Sequence, residues 1–84
     1  MSLPSHAWDQ IKGISVDDLV RALERDGWVS DVTMGAIRIY RNAAGGRVSV
    51  HYHPGKTFGA RLLHALLDDI GWTVEDMRRL KLIK

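Results

Sequence analysis

This 84-residue chain has no cysteine and no long apolar run. Without cysteine it cannot form a disulfide scaffold, a thiolate nucleophile or a cysteine-ligated zinc site. No stretch approaches the ~18 consecutive apolar residues that a membrane-spanning helix needs. Residues 1–10 also lack the charged and then apolar order of a secretory signal. These absences predict a cytoplasmic protein with no membrane association.

The composition is that of a small globular domain with a slight excess of positive charge. Apolar residues make up 45% of the chain, charged residues 26%, and the formal net charge is +2. A chain of this length can fold alone but is too short for two independent cores. We expect residues 1–12 to form a flexible lead-in and residues 13–84 a single domain. The low net charge permits a nucleic-acid partner, provided that the basic site is local.

Two stretches have the apolar spacing of amphipathic helices, and a third, shorter one follows. The first begins after Ser15, a hydroxyl N-cap, and ends at Gly27. The second is rich in leucine, has Thr57 as its expected cap and ends at Gly71. A final short helix is capped by Thr73. The apolar positions are Val16, Leu19, Val20 and Leu23, then Leu62, Leu63, Leu66, Leu67 and Ile70, then Met77 and Leu80.

Three shorter stretches, residues 28–32, 36–41 and 47–52, are predicted β-strands, and the last two have the clear two-residue alternation. The element order predicts an α+β fold of two layers. A three-stranded antiparallel sheet has the two main helices on one face, in the order α-β-β-β-α, plus a short C-terminal helix. The other face of the sheet is expected to be open to solvent.

The open face is predicted to carry basic, aromatic and titratable side chains. On the second strand, the alternation suggests that Ile37 and Ile39 face the core while Arg38 and Tyr40 face outward. On the third strand, we expect Val48, Val50 and Tyr52 to face the core. The outward side chains are then Arg38, Tyr40, Arg47, His51 and, if the strand continues, His53, a set that suits contact with a phosphodiester backbone. The candidate nucleic-acid-binding residues are Arg38, Tyr40, Arg47 and Lys56.

Several short motifs occur in a characteristic order between about Lys12 and Leu82. They are Gly27-Trp28, the Gly-x-x-x-x-Tyr strand at Gly35 and Tyr40, the Val-Ser-Val-x-x-His pattern ending at His53, and Asp69-Ile70-Gly71-Trp72-Thr73. In these features the chain resembles the HicA family of bacterial toxin–antitoxin systems. The resemblance implies a fold like that of double-stranded-RNA-binding domains (dsRBD-like), ribonuclease activity on mRNA and a cognate HicB-like antitoxin.

The resemblance breaks at the residue that the family uses for cleavage. The family motif is Gly-Ser-His, whereas this chain reads Gly35-Ala36-Ile37, so Ile37 stands at the position of the motif histidine. Three interpretations stay open. The chain is a HicA-like toxin that binds RNA and cleaves it with other residues, or it is a catalytically inactive HicA-like module that binds RNA or protein. A general RNA-binding protein is a third. We expect a monomer or a weak homodimer.

His51 and His53 are the candidates for cleavage without a metal ion. Their spacing places both on one strand face if the strand continues that far. Imidazole, with a reference pKa of ~6.5, suits both the base that takes the 2′-hydroxyl proton and the acid that protonates the leaving oxygen. The alternative is a pair of solvated surface histidines. A zinc site needs three or four ligands, and only His6 and His64 remain as nitrogen donors, so we expect no metal or other cofactor.

Overall fold

The computed structural model describes residues 3–84, apart from the side chain of Val32. Within that part, the strands form one antiparallel sheet in the order β1-β2-β3. The helices lie on one face of it, which confirms the predicted α+β class. The elements in chain order are α1 (Ser5–Ile11), α2 (Val16–Arg25), β1 (Val29–Met34), β2 (Ile37–Arg41), β3 (Arg47–His51), α3 (Ala60–Ile70) and α4 (Val74–Arg79).

The core lies between the sheet and the helices. Tyr40, Val48 and Val50 of the sheet pack with the buried residues of α2 and α3. Each large apolar side chain removed from water contributes about 1.5–3 kcal/mol. The buried helix residues that form this layer are Val16, Leu19, Val20, Ala22 and Leu23 of α2 and Leu63, Leu66, Leu67 and Ile70 of α3.

The ends of α2, α3 and α4 follow the local signals in the sequence. The Ser15 hydroxyl accepts a hydrogen bond from the Asp18 backbone N–H at 3.1 Å, so it caps α2. At α4, Thr73 and Asp76 exchange the two hydrogen bonds of a capping box. Gly71 ends α3 in the left-handed conformation with φ of 80°, which glycine adopts without steric cost.

The start of the chain differs from the expectation of a lead-in, because residues 5–11 form helix α1. Ala7 and Ile11 are buried in the core, and the Trp8 ring stacks on His64 of α3 with centroids 3.9 Å apart. A seven-residue helix is too short to be stable alone, so packing holds it in place. Sequence periodicity has little to detect in such a short segment.

The start of α3 is also different from the prediction. Thr57 does not cap the helix; it pairs with Ser15 in an isolated β-bridge, and Gly59 is the N-cap residue without a side-chain hydrogen bond. Leu62, expected in the apolar stripe, is exposed. The bridge at Thr57 instead ties the loop after β3 to the beginning of α2.

The loop between β2 and β3 is closed tightly at Gly46. The Gly46 N–H donates to the Asn42 side-chain oxygen at 2.6 Å. A Cβ atom at Gly46 would lie 2.8 Å from that oxygen and 2.8 Å from Cη2 of the buried Trp28. The close approach therefore requires glycine here.

Candidate functional site

The register of the β2–β3 hairpin corrects the predicted orientation of β2. Tyr40 pairs with Val48 and Arg38 pairs with Val50, and directly opposed residues share a face of the sheet. Because the two valines are buried under the helices, Arg38 and Tyr40 also lie on the helix-covered face. The prediction that these two side chains face outward is wrong. Tyr40 is 0% exposed, so it cannot stack on a base.

The open face carries the other members of the hairpin. Ile37, Ile39 and Arg41 of β2 lie opposite His51, Ser49 and Arg47 of β3, in that order. The Arg41 side chain forms an ion pair with Asp31 at the irregularity in β1. Exposed Val29 and Met34 of β1 pair with Arg41 and Ile37. The open face is thus an apolar strip with polar and basic groups along β3.

His51 and His53 come together at the end of β3. Their ring centroids are 6.3 Å apart with an interplanar angle of 31°, and both residues are exposed. The Tyr52 N–H donates to the Ala36 carbonyl at 2.6 Å, so pairing with the chain before β2 continues past His51. The two imidazoles therefore lie side by side on the surface, tilted relative to each other and not stacked.

His51 also lies opposite Ile37 in the sheet. The two residues are direct cross-strand partners on the open face, and such partners have Cβ atoms about 4.5–5.5 Å apart. The imidazole of His51 therefore occupies nearly the same region of the surface as a side chain at position 37.

A cluster formed by Asp17, Arg38, Tyr52 and Gly55 holds the loop after β3. The Asp17 carboxylate accepts from the Tyr52 hydroxyl at 2.6 Å and from the Gly55 N–H at 2.9 Å. The Arg38 guanidinium carbon lies 3.8 Å from the centroid of the Tyr52 ring, a cation–π geometry. Because His53 lies between Tyr52 and Gly55, this Asp17 cluster fixes the backbone on both sides of it.

The titration of the Asp17 cluster follows from these contacts. The hydrogen bond from Tyr52, then that from Gly55, lowers the pKa of Asp17 below its ordinary value. The same bond raises the pKa of Tyr52, since ionising the phenol would remove the proton that the carboxylate accepts. The pair is therefore in the carboxylate and phenol forms at neutral pH.

Arg38, a member of the Asp17 cluster, also lies near the buried Tyr40. Its pKa is raised, chiefly by the nearby Tyr40 hydroxyl. That hydroxyl is nonetheless buried with no hydrogen-bond partner of ordinary geometry among the described residues. Arg38 and the Tyr40 hydroxyl are therefore electrostatic neighbours that do not form a hydrogen bond with each other. Arg38 thus lies on the helix-covered face of the sheet and contacts the Tyr52 ring there.

A second carboxylate cluster, which we call the Asp26 cluster, consists of Asp26, Trp28, Trp72 and Arg79. One Asp26 oxygen accepts from the indole N–H groups of Trp72 at 2.8 Å and Trp28 at 3.2 Å. The other accepts from Arg79 at 2.6 Å. Burial alone would raise the pKa of Asp26, but these hydrogen bonds lower it overall.

The structure thus places the predicted site residues in two groups. Arg47 and His51 share the open side of β3, the His53 ring lies beside that of His51 just after the strand, and Lys56 is in the loop that follows. Arg38 and Tyr40 are on the covered face. Nothing in the sequence points directly to Asp17, because an acidic residue in a first helical turn is ordinary. The hairpin register could have been found from the five-residue loop 42–46, which makes residues 40 and 48 partners.

Two further properties hold for the described residues. Among residues 3–84, no group of three histidine, aspartate or glutamate side chains is arranged to hold a metal ion. None of the helices α1 to α4 is long and apolar enough to cross a membrane.

Comparison with known proteins identifies the family. No curated protein sequence matches the chain significantly. The family model for the HicA toxin of bacterial toxin–antitoxin systems, however, matches residues 16–72, which extend from the first residue of α2 to Trp72 after α3. This match covers the sheet with His51, the loop with His53 and both main helices. The chain therefore belongs to the HicA toxin family, whose members act with an antitoxin partner.

Proposed function

We propose that this HicA-family toxin binds mRNA at the open end of β3 and cleaves it with His51 and His53, without a metal ion, until a cognate HicB-like antitoxin masks it. The observation that carries the proposal is the pairing of His51 with Ile37. The family resemblance assigns the catalytic histidine to position 37, and His51 presents an imidazole to the same patch from the neighbouring strand. The catalytic group has moved across the sheet without a change of fold.

The cleavage step needs one base and one acid. One imidazole accepts the proton of a 2′-hydroxyl, and the 2′-oxygen attacks the adjacent phosphorus. The bond from phosphorus to the 5′-oxygen breaks, and the other imidazole, in its protonated form, gives its proton to that oxygen. The products are a 2′,3′-cyclic phosphate and a free 5′-hydroxyl. The 6.3 Å between the rings suits groups that act on opposite sides of one phosphate.

A cation beside the pair would stabilise the negative charge of the transition state. Lys56 follows His53 in the loop anchored by Asp17 and can contact a phosphate oxygen there. Arg47 lies on the same open face but at the other end of β3, about 13 Å from His51 along the strand, so we assign it to a neighbouring phosphate of the RNA. Arg38 supports the loop of Lys56 through the Tyr52 ring. Tyr40 has no part in contacting RNA because it is buried.

The test is cleavage of an unstructured RNA by the pure protein in EDTA. We expect His51→Ala and His53→Ala each to lower the rate by at least about a hundredfold, since each removes one proton-transfer group. His64→Ala, on α3 and stacked on Trp8, is the matched control and should cleave normally. A bell-shaped dependence of rate on pH should accompany cleavage by the unmodified protein.

A rescue variant tests the relocation directly. Adding Ile37→His to His51→Ala places an imidazole on the cross-strand partner of position 51. We expect it to restore much of the lost rate, whereas Ile39→His, one pair further along β2, should not. Intact RNA with all of these proteins, including the unmodified chain, rules out the nuclease.

A second candidate function is a catalytically inactive module that binds only the antitoxin. The exposed Val29 and Met34 and the half-buried Ile37 on the open face favour it, since protein interfaces have apolar centres. In that case Met34→Asp should abolish binding of the antitoxin, measured by calorimetry, and the unmodified chain should not cleave RNA. Cleavage in EDTA that depends on His51 excludes this alternative.

A further inference from the structure

A polar cleft of about 600 Å³ lies between α1, the loop before α2, α2 itself and the segment after α4. Part of it is built by residues outside the range that the family model matches, which is 16–72. Six of the lining residues carry charge, and cations outnumber acids among them. They are Asp9, Lys12, Asp18, Arg21, Arg25 and Lys81.

The acids of the cleft neutralise its cations only weakly. Arg21 is 3.5 Å from Asp18, with both side chains more than half exposed, and Lys12 is 3.7 Å from Asp9 in the same condition. Ion pairs of this kind contribute little in water. Arg21 and Arg25 are four residues apart on one helix, so their like charges repel each other. The cleft therefore exposes positive charge to solvent that its own acidic residues do not neutralise.

The wall of the cleft is held in a fixed shape. Arg25 donates to the Leu80 carbonyl at 2.8 Å, and the Lys84 N–H donates to the side-chain oxygen of Gln10 at 2.8 Å. Lys81 has φ of 61°, a left-handed conformation that costs energy for a residue other than glycine. The backbone bond from Leu82 N–H to the Met77 carbonyl, 2.9 Å, stabilises that turn. Lys81 thus occupies a position where glycine would adopt the same backbone conformation at a lower energetic cost.

The cleft adjoins the loop that follows the histidine pair. The Val16 N–H donates to the Lys56 carbonyl at 2.8 Å, and Ser15 forms the bridge with Thr57. Ile14 and Asp18, on either side of this junction, both line the cleft. Arg21 also lies close enough to add, after the hydrogen bonds from Tyr52 and Gly55, to the lowering of the pKa of Asp17. Lys56 and the cations of the cleft therefore lie on either side of the start of α2, whose first turn carries the acidic Asp17 and Asp18.

The chemistry of the lining favours a nucleic acid over a protein partner. Protein interfaces are organised around exposed apolar side chains. Among the described residues, the large apolar side chains with the greatest exposure are Val29, Met34 and Leu62, and none of them lines the cleft. Accessible cations around a polar cleft are instead the usual partners of phosphate oxygens.

We propose that this cleft is a second phosphodiester-binding site, in which a single-stranded RNA that leaves the histidine pair is held by Arg21, Arg25 and Lys81. The proposal rests on the proposed function, because it takes RNA as the substrate. It adds that recognition extends beyond the cleaved bond to the side of the domain formed by α1 and the segment after α4.

The test compares two double variants that lose the same net charge. Arg21→Gln/Lys81→Gln removes two cleft cations, and Arg61→Gln/Arg78→Gln removes two exposed cations that do not line the cleft. Both are made in the His51→Ala/His53→Ala background so that the RNA stays intact. Binding of a fluorescent single-stranded RNA is measured by anisotropy over a range of salt concentrations. Circular dichroism confirms that both variants are folded.

The cleft variant should reduce the slope of log K against log salt by about 1.4, since each phosphate contact in single-stranded RNA contributes about 0.7. The control should change the slope by much less. A dinucleotide, which is too short to extend from the end of β3 into the cleft, should bind both variants equally. Equal slopes for the two variants with the long RNA overturn the cleft proposal and leave the proposed function intact. Failure of the unmodified chain to bind any RNA overturns both.

Discussion

Helix α2 carries a carboxylate at each end, and the two have different surroundings. At its C-terminal end, Asp26 accepts hydrogen bonds from two buried indoles and from Arg79, and its side chain is 19% exposed. At its N-terminal end, Asp17 accepts from Tyr52 and from the Gly55 backbone, both in the loop beside His53. The first carboxylate connects elements of the core, and the second positions a surface loop.

We therefore expect Asp26 to matter for the stability of the domain and Asp17 for the proposed cleavage. The donors to Asp26 are Trp28 just before β1, Trp72 just after α3, and Arg79 in α4. The Asp26 cluster therefore joins segments that are distant in sequence. The donors to Asp17 come from one segment of four residues, 52–55. Breaking the first cluster should lower the stability of the whole domain, whereas breaking the second should misplace the histidine loop.

The largest expected effect is that of Asp26→Ala on the free energy of unfolding. It leaves two indole N–H groups and Arg79 without their acceptor, and hydrogen bonds to a charged group contribute about 1.5–3 kcal/mol each. We expect a loss of about 3 kcal/mol in urea-induced unfolding. RNA cleavage per folded molecule should be unchanged. An equal loss of specific activity would show that the two ends of α2 are not separate.

The converse variant is Asp17→Asn. It keeps the size of the side chain but weakens the acceptor for the Tyr52 hydroxyl and the Gly55 N–H, so the loop of His53 is less well fixed. We expect cleavage to fall by about tenfold, because small displacements of catalytic groups are costly. The loss of stability should be clearly smaller than that of Asp26→Ala. Normal cleavage with a destabilised fold would assign Asp17 to the core.

Acid should weaken both clusters, and the direction follows from the lowered pKa of each carboxylate. The unfolded chain binds protons at the ordinary pKa of 3.8, above the pKa of either group in the folded protein. The stability they provide is therefore complete above that value and is lost as pH falls through the folded pKa. Urea unfolding from pH 6 down to about pH 2 should show this loss. Asp26→Asn should flatten the acid limb more than Asp17→Asn does.

The smallest effect is expected for Tyr52→Phe, which keeps the ring beneath Arg38 and removes only the hydroxyl. Cleavage should fall less than with Asp17→Asn, because the Gly55 N–H bond survives. In a double-mutant cycle the two changes should be less than additive, since they remove the same hydrogen bond. Strict additivity would mean that the Tyr52–Asp17 contact is absent in solution.

Local sequence signals predicted the helices well and the sheet faces only partly. Ser15, Gly71 and Thr73 determine helix ends through their own backbone and side-chain bonds, so these could be predicted without tertiary information. The orientation of β2 could not be taken from its own alternation, because Ile37, Ile39 and Tyr40 all have enough apolar surface to be buried. The partner strand decides the orientation, because Val48 and Val50 are apolar and must face the core, and their cross-strand partners Tyr40 and Arg38 then lie on the same face.

The candidate site shows the same division between local and long-range information. The pair His51 and His53 could be found from its spacing, and the two rings do lie together. Their nearest supports, Asp17 and Arg38, lie 34 or more and 13 or more residues earlier in the chain and are brought there only by packing. Helix α1 was missed for the same reason, because its stability comes from contacts with the rest of the fold.

The absence of a side chain at Gly46 has a consequence for engineering and for natural variation. Because Trp28 and Asn42 fill the space where a methyl group would go, even alanine would force the hairpin tip apart and loosen the alignment of its arms. A slip of one residue would exchange the inward and outward sets of side chains on a strand. The described glycine with the least room for an added carbon is thus at the end of the hairpin far from the histidines, and Gly46→Ala should lower the free energy of unfolding.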